Sequence, residues 1–289
     1  MSFSASNESS THRRQVAGFR ALILTIALFG FVLPSVWGQV SIPALGTPYT
    51  QNFDTLANSG TSSAVPAGWA FLETGTNANT TYTAGTGSSN TGDTYSFGAS
   101  GSTERAFGGL RSGNLVPTIG ASFRNDTGTT ITNLIISYTG EEWRLGVAGR
   151  TDRLDFQYSL DATGLNSGTW TEVDALDFVT PNTVAPTGAK DGNQAANRTA
   201  ITYKITGLNI ANGATFWIRW SDYNPAGSDD GLAVDDFSLT ATQVGDLSID
   251  NVNLAEGDSG PTTFTFTVRL TSPAPPGGVP FALATADGT

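Results

Sequence analysis

The sequence predicts an all-β protein: a jelly-roll-like β-sandwich followed by part of a second β-sandwich module. Three observations carry this. Apolar and polar residues alternate over short runs, the mark of half-buried strands. Clusters of Gly, Asn, Asp and Ser punctuate those runs. Beyond the N-terminal apolar segment, no stretch sustains a helical period of about 3.6 residues.

The strands justify themselves in turn. Residues 153–160 place Leu154, Phe156, Tyr158 and Leu160 on one face and Asp155, Gln157 and Ser159 on the other. In 200–205, Ile201, Tyr203 and Ile205 alternate with Thr202 and Lys204. In 214–222, Phe216, Ile218 and Trp220 oppose Trp217, Arg219 and Ser221. Trp217 and Trp220 therefore face opposite sides, and one of them belongs to an outer surface. In 263–270, Phe264, Phe266, Val268 and Leu270 share a face. Many short strands with regular turns point to a sandwich or jelly roll.

Composition narrows the chemistry. The 289 residues carry 25 acids and 14 bases, a net charge of −11. Such a chain repels phosphates, and no Lys/Arg cluster offsets that, so nucleic acid is excluded as a partner. Residues 1–38 read as a secretory signal: Arg13, Arg14 and Arg20 precede an apolar run from Ala21 to Leu33. Val36 and Gly38 then supply compact residues before a cut at Gln39. The run falls short of the ~20 residues that a membrane span needs, so the mature chain carries no span. His12 is the one histidine and cysteine is absent. The mature chain thus has no Ser-His-Asp triad, no cysteine nucleophile and no His/Cys zinc site. Carboxylate chemistry and hard cations bound through oxygen remain.

The length suggests about two domains, 39–241 and 242–289, with the apolar pattern stopping and restarting at 240–245. Residues 74–104 are almost wholly small and polar and read as a long binding loop or flap. Residues 181–200 read as a second polar loop.

Two stretches resemble known families. Leu247-Ser248-Ile249-Asp250, Ala255-Glu256-Gly257-Asp258, the alternating 264–270 strand and Ala286-Asp287-Gly288-Thr289 together resemble the first half of a Calx-β domain. That resemblance implies Glu256 and Asp287 as calcium ligands, with the rest of the module expected beyond residue 289. Gln51-Asn52-Phe53-Asp54, Val65-Pro66-Ala67-Gly68-Trp69 and Gly231-Leu232-Ala233-Val234-Asp235-Asp236-Phe237 resemble the jelly-roll modules of bacterial secreted proteins, of the cleaved-adhesin and MAM-like types. Such modules hold a structural calcium where the first and last strands meet, at positions matching Asp54 and Asp235 or Asp236. Physics adds its own demand. Adjacent aspartates on a strand point to opposite faces unless a bulge intervenes. A buried carboxylate needs a partner or a metal. With no Lys or Arg nearby in sequence, a cation or a set of backbone N–H groups must satisfy it.

Glu141-Glu142-Trp143-Arg144 is the remaining cluster. Adjacent acids on a strand do not share a face, so glycoside hydrolysis by this pair is disfavoured, and ion pairs with Arg144, Arg150 or Arg153 are expected. The expected protein is a secreted, non-catalytic module that binds an extracellular glycan or protein ligand, with calcium stabilising its sandwiches. The alternative is an accessory region of a secreted hydrolase whose catalytic domain lies beyond residue 289. Mass spectrometry of the exported chain should find Gln39 or a close neighbour at its N-terminus. Recovery of Met1 on a membrane-bound form would overturn the signal.

Overall fold

The computed structural model describes residues 38–243, 245, 247–255, 257–270 and 278–284. The signal segment 1–37, Glu256 and Asp287 lie outside the described residues. Two mixed sheets face each other across one apolar layer. The first runs, in spatial order, Val40–Ile42, Val116–Asn125, Thr215–Asp222, Arg153–Ser159 and Thr171–Glu172. Trp69–Thr74 also pairs with Val116–Asn125, and Phe178–Val179 with Arg153–Ser159. The second runs Gly188–Ala189, Asn133–Leu145, Gly231–Thr242, Ala106–Leu110, Asp93–Phe97, Tyr82–Gly85 and Thr61–Ser62. Arg198–Ile205 joins it along Asn133–Leu145, and Pro48–Gln51 along Gly231–Thr242. Among the described residues, no helix is long and apolar enough to cross a membrane.

The alternation of the sequence fills the space between the sheets. Phe216, Ile218 and Trp220 meet Leu134, Ile136, Tyr138, Val234 and Phe237 in the main core. Aromatic edges and faces lock its centre. Trp220 stacks on Trp69 at 6.1 Å and takes Tyr138, Phe156 and Phe237 edge-on at 5.2, 5.1 and 5.8 Å. Such pairs add about 0.5–1.5 kcal/mol each beyond area burial. Trp217 takes the outer face, yet it is buried because Ala162 and Leu165 of the 160–170 turn cover it.

Residues 74–104 are not one long loop. Tyr82–Gly85 and Asp93–Phe97 extend the second sheet, paired in parallel. Their few aromatics do the anchoring: Tyr82 enters the main core, while Tyr95 and Phe97 pack on the outer face with Trp143. The small residues between them allow close approach. A Cβ on Gly87 would lie 1.8 Å from the carbonyl of Trp143, and its φ of +75° suits glycine. Low side-chain content therefore records tight layering here, not mobility. The 181–200 segment remains a loop with short pieces of structure, entering the Arg198–Ile205 strand at its end.

In the tail, Leu247–Ile249 pairs with Val268–Leu270. The expected strand over 264–270 forms only in its last part. Phe264 and Phe266 are exposed, and among the described residues no sheet opposes them.

Phe237 gives a direct test of the core. It is fully buried and touches the rings of Trp69, Trp220, Tyr49 and Phe123. Phe237→Ala should lower the unfolding free energy by about 3–5 kcal/mol, read by urea denaturation.

Candidate metal centre

The second sheet's outer face carries acids where a surface would carry scattered charge. Asn133–Leu145 pairs with Gly231–Thr242 so that Thr139 opposes Asp235 and Glu141 opposes Ala233. Glu141 and Asp235 are thus diagonal neighbours on one face, within reach of each other's side chains. One extra residue then enters Gly231–Thr242 between Asp235 and Ser238. That bulge puts Asp236 in the left-handed region at φ 48° and turns it to solvent. Glu104 arrives from the turn that leads into Ala106–Leu110.

One carboxylate oxygen each from Glu104, Glu141 and Asp235 lies within 4.8 Å of the others. Glu141 is fully buried and Asp235 is 6% exposed. Their other contacts are few. The indole N–H of Trp143 donates to Glu141 Oε2 at 2.9 Å, and the Asn193 amide donates to Glu104 Oε2. Glu104 Oε1, Glu141 Oε1 and Asp235 Oδ1 are buried with no hydrogen-bond partner. Among the described residues, no Lys or Arg forms an ion pair with any of the three. Burial pushes the Glu141 carboxyl up to about 7, against the Trp143 hydrogen bond that holds it down. Burial pushes Asp235 up to about 8, and the negative charges of Asp236, Glu141 and Glu104 add to that.

A calcium ion binds oxygens at about 2.3–2.6 Å, so ligands on opposite sides of it stand just under 5 Å apart. Three carboxylates at this spacing, each with a buried unpartnered oxygen, can share one ion, which would supply the countercharge that no ion pair supplies.

The sequence-predicted site residues divide. Asp235 is in the trio. Asp54 is exposed, bonds to Asn52 at 2.6 Å and accepts the Arg105 N–H at 3.3 Å, next in the chain to Glu104. Asp236 faces solvent beside the trio. Glu256 and Asp287 lie outside the described residues. Glu104 and Glu141 were not expected as ligands. The ion pairs expected for Glu141 and Glu142 do not form. Arg144 instead donates to the carbonyls of Gly87 and Ser88 at 3.0 and 3.2 Å. Arg150 pairs with Asp152, and Arg153 with Asp155 and Asp177. The two glutamates do part to opposite faces, Glu141 outward with Trp143 and Glu142 toward the gap between the sheets.

No family model matches the chain, and no curated protein matches its sequence. Solved structures match at low similarity. The K1 cleaved adhesin domain of Lys-gingipain from Porphyromonas gingivalis W83 is 12% identical with a TM-score of 0.33, over 68% of this chain and 100% of that one. The K3 domain of the same protein is 11% identical with a TM-score of 0.29, over 67% and 91%. TmCBM61, solved in complex with β-1,4-galactotriose, is 12% identical with a TM-score of 0.27, over 50% and 74%. At these identities and scores the likenesses say nothing of what this chain binds.

The buried acids set a pH dependence for the metal-free protein. Glu141, Asp235 and Glu142 are raised to about 7, 8 and 7, and Asp93, Asp177, Asp229 and Asp230 to about 6. Each folded-state value lies above the unfolded one, so the folded chain binds more protons across that interval and stability falls as pH rises. In chelator, the melting temperature should fall continuously from about pH 4 to pH 8. A flat or rising profile would contradict the burial of these groups in their protonated form.

Proposed function

We propose that this chain is a secreted, non-catalytic binding or adhesion module whose sandwich is fastened by a calcium ion at Glu104, Glu141 and Asp235. The observation that carries the reading is that Glu104, Glu141 and Asp235 each bring a carboxylate oxygen within 4.8 Å of the others and each bury an oxygen that has no hydrogen-bond partner. The ion would tie the Glu104 turn to the two central strands and neutralise their charge. Backbone carbonyls and water would complete its shell. Burial also argues against hydrolysis at this point. Glu141 and Asp235 are too deeply enclosed to flank a sugar, which the paired acids of a glycosidase must do.

Ligand engagement fits a shallow recess of about 430 Å³ lined by Thr50, Gln51, Asn52, Asp236 and Phe237. Among the described residues, the two non-glycine positions with positive φ, Phe53 at 56° and Asp236 at 48°, lie in or beside it. Strained backbone of this kind gathers at ligand sites, and amides beside a carboxylate suit a hydroxyl-rich ligand such as a glycan. Under the same proposal the tail is part of a Calx-β unit, and Glu256 and Asp287 would contribute to its own calcium. The alternative, an accessory region of a secreted hydrolase, uses the same site in the same way.

Thermal melting of the full chain in calcium and in chelator tests the reading. Calcium at a hundredfold excess over Kd should add about 2.7 kcal/mol. Asp235→Asn should abolish the calcium response while leaving the metal-free melting temperature unchanged or higher, because the amide never has to carry a charge in this buried place. Equal midpoints for the unmodified chain over a wide calcium range would refute the proposal.

A further inference from the structure

One end of the sandwich is closed by buried acids that the protein itself holds in place. Asp222 ends the Thr215–Asp222 strand, Glu142 lies on the inward face of Asn133–Leu145, and Asp229 and Asp230 arrive on the loop 223–230. Asp222 Oδ2 accepts the Arg111 N–H at 3.2 Å, Glu142 Oε2 the Asn182 N–H at 3.1 Å and Asp230 Oδ1 the Gly146 N–H at 2.6 Å. Asp152 pairs with Arg150 and accepts the Asp230 N–H at 2.9 Å. Arg150 also donates to the Ser228 carbonyl. Gly146 lets the loop approach, since a Cβ there would meet the carbonyls of Asp229 and Ser228 at 2.3 and 2.4 Å. The segment 228–230 is therefore fixed on both sides by the protein's own groups.

Beside these acids lies a polar cavity of about 250 Å³. Gly231 pairs with Leu110 on one side and with Arg144 on the other, so the ends of three neighbouring strands meet there. Arg111 and Arg144 line the cavity with Asn90, Ser112 and Asp229. Arg111 Nη1 donates to the Asp222 carbonyl at 2.7 Å. Arg144 Nη1 donates to the carbonyls of Gly87 and Ser88 at 3.0 and 3.2 Å. Each guanidinium is anchored through Nη1, and among the described residues its Nε and Nη2 make no hydrogen bond or ion pair. Asp229 is 5% exposed, and its Oδ1 is buried without a partner. Ser112 Oγ accepts the Asn114 N–H at 3.3 Å, which leaves its own hydrogen to give.

We infer that this cavity binds an uncharged terminal sugar residue through a pair of adjacent ring hydroxyls, apart from the recess beside Asp236. Pockets that enclose drug-sized ligands hold about 300–1,000 Å³. This one is smaller and takes one ring rather than a chain. A hydroxyl both donates and accepts. An adjacent pair can accept from the arginine N–H groups and donate to the Asp229 carboxylate at once. An anion would satisfy the arginines and be repelled by Asp229, and a cation would do the reverse. A zwitterion would meet both charges but leave the Ser112 hydroxyl and Asn90 amide unused, whereas further ring hydroxyls match them. Among the described residues none that lines the cavity is aromatic, so hydrogen bonds rather than stacking on a ring carry the recognition. Bonds to charged groups are the stronger kind. Here the arginines and the Asp229 segment are held before the ligand arrives, which limits the ordering penalty of binding.

Amide NMR shifts of the full chain, titrated with the methyl α-glycosides of glucose, galactose and mannose at millimolar concentration, test the site. Between them these probes present adjacent hydroxyls in both equatorial–equatorial and axial–equatorial pairs. At least one should give saturable shifts at Arg111, Ser112, Gly146 and Asp229. Asp229→Asn should weaken that binding at least tenfold, because it removes the charged acceptor. Arg144→Gln should weaken it by a similar factor, and it is the fallback if Asp229→Asn fails to fold by circular dichroism. A folded variant of either kind that binds as tightly as the unmodified chain would overturn the site. So would the absence of saturable shifts with all three glycosides, or shifts confined to Thr50, Asn52 and Asp236, which would place binding in the other recess. Glucuronate and alanine probe the anion and the zwitterion. Tighter binding of either than of every methyl glycoside would overturn the assignment to an uncharged sugar. Melting in calcium and chelator reads the trio instead, so either reading can fail alone.

Discussion

The pairing of Asn133–Leu145 with Gly231–Thr242 is the constraint on which the rest depends, and its bulge is what makes the pairing work. Leu232 and Val234 point into the core before the bulge, and Phe237, Leu239 and Ala241 point into it after. Without the extra residue the second set would face outward, because strand side chains alternate strictly. Phe237 would then leave the cluster of Trp69 and Trp220, and the middle of the sandwich would open. The bulge that saves the core also decides the acids. Asp235 keeps the outer face it shares with Glu141, and Asp236 takes the left-handed position where its side chain reaches water.

A sheet with apolar residues on one face and buried acids on the other is unusual in its balance of energies. The outer face is covered by its own small cluster, in which Trp143 stacks with Phe97 at 6.0 Å and Phe97 with Tyr95 at 4.9 Å. That cover excludes water from Glu141 and Asp235 and raises the cost of their charges. Removing one partner from a buried charged group leaves the others uncompensated, which is why such groups are found with a countercharge or neutral. In the neutral case the site works against the fold as pH rises. With a cation bound, the same carboxylates hold three separate segments together. The aromatic cover strengthens whichever interaction is made, since low dielectric amplifies both attraction and repulsion.

Much of the fold was legible and the site was not, for one physical reason. The strands Arg153–Ser159 and Thr215–Asp222 declare themselves through alternation, which depends only on residues two apart. Even the bulge was within reach: the spacing from Val234 to Phe237 breaks parity, and the paired aspartates sit at the break. The trio depends instead on register between residues 141 and 235, and no local pattern carries that. Glu104 was hidden differently. It stands in a stretch so poor in apolar residues that its strands, held by Tyr82, Tyr95 and Phe97, read as loop. Trp217 shows the same limit, because parity showed that it and Trp220 face opposite sides but neither which of them faces outward nor the turn that covers it. Phe264 and Phe266 show the converse. Their alternation was clear, and among the described residues nothing pairs with them to turn it into a strand.

The doublet Glu141-Glu142 links the two acid clusters through a single strand. Successive side chains of a strand leave on opposite faces, so one dipeptide delivers one carboxylate to the outer trio and one to the closed end of the sandwich. Asp229-Asp230 and Asp235-Asp236 stand at either end of the segment 229–236, which enters Gly231–Thr242 between them; the first pair is buried at the closed end, and the second gives Asp235 to the trio and Asp236 to solvent. Both clusters therefore hang on the same two paired strands. A shift of that register by one residue would turn one of the two strands over, so that either Glu142 would take the place of Glu141, or Asp235 would enter the apolar core as Phe237 left it. The acids, costly where they are, would be costlier in any neighbouring register, and in that sense they help to specify the pairing that holds them.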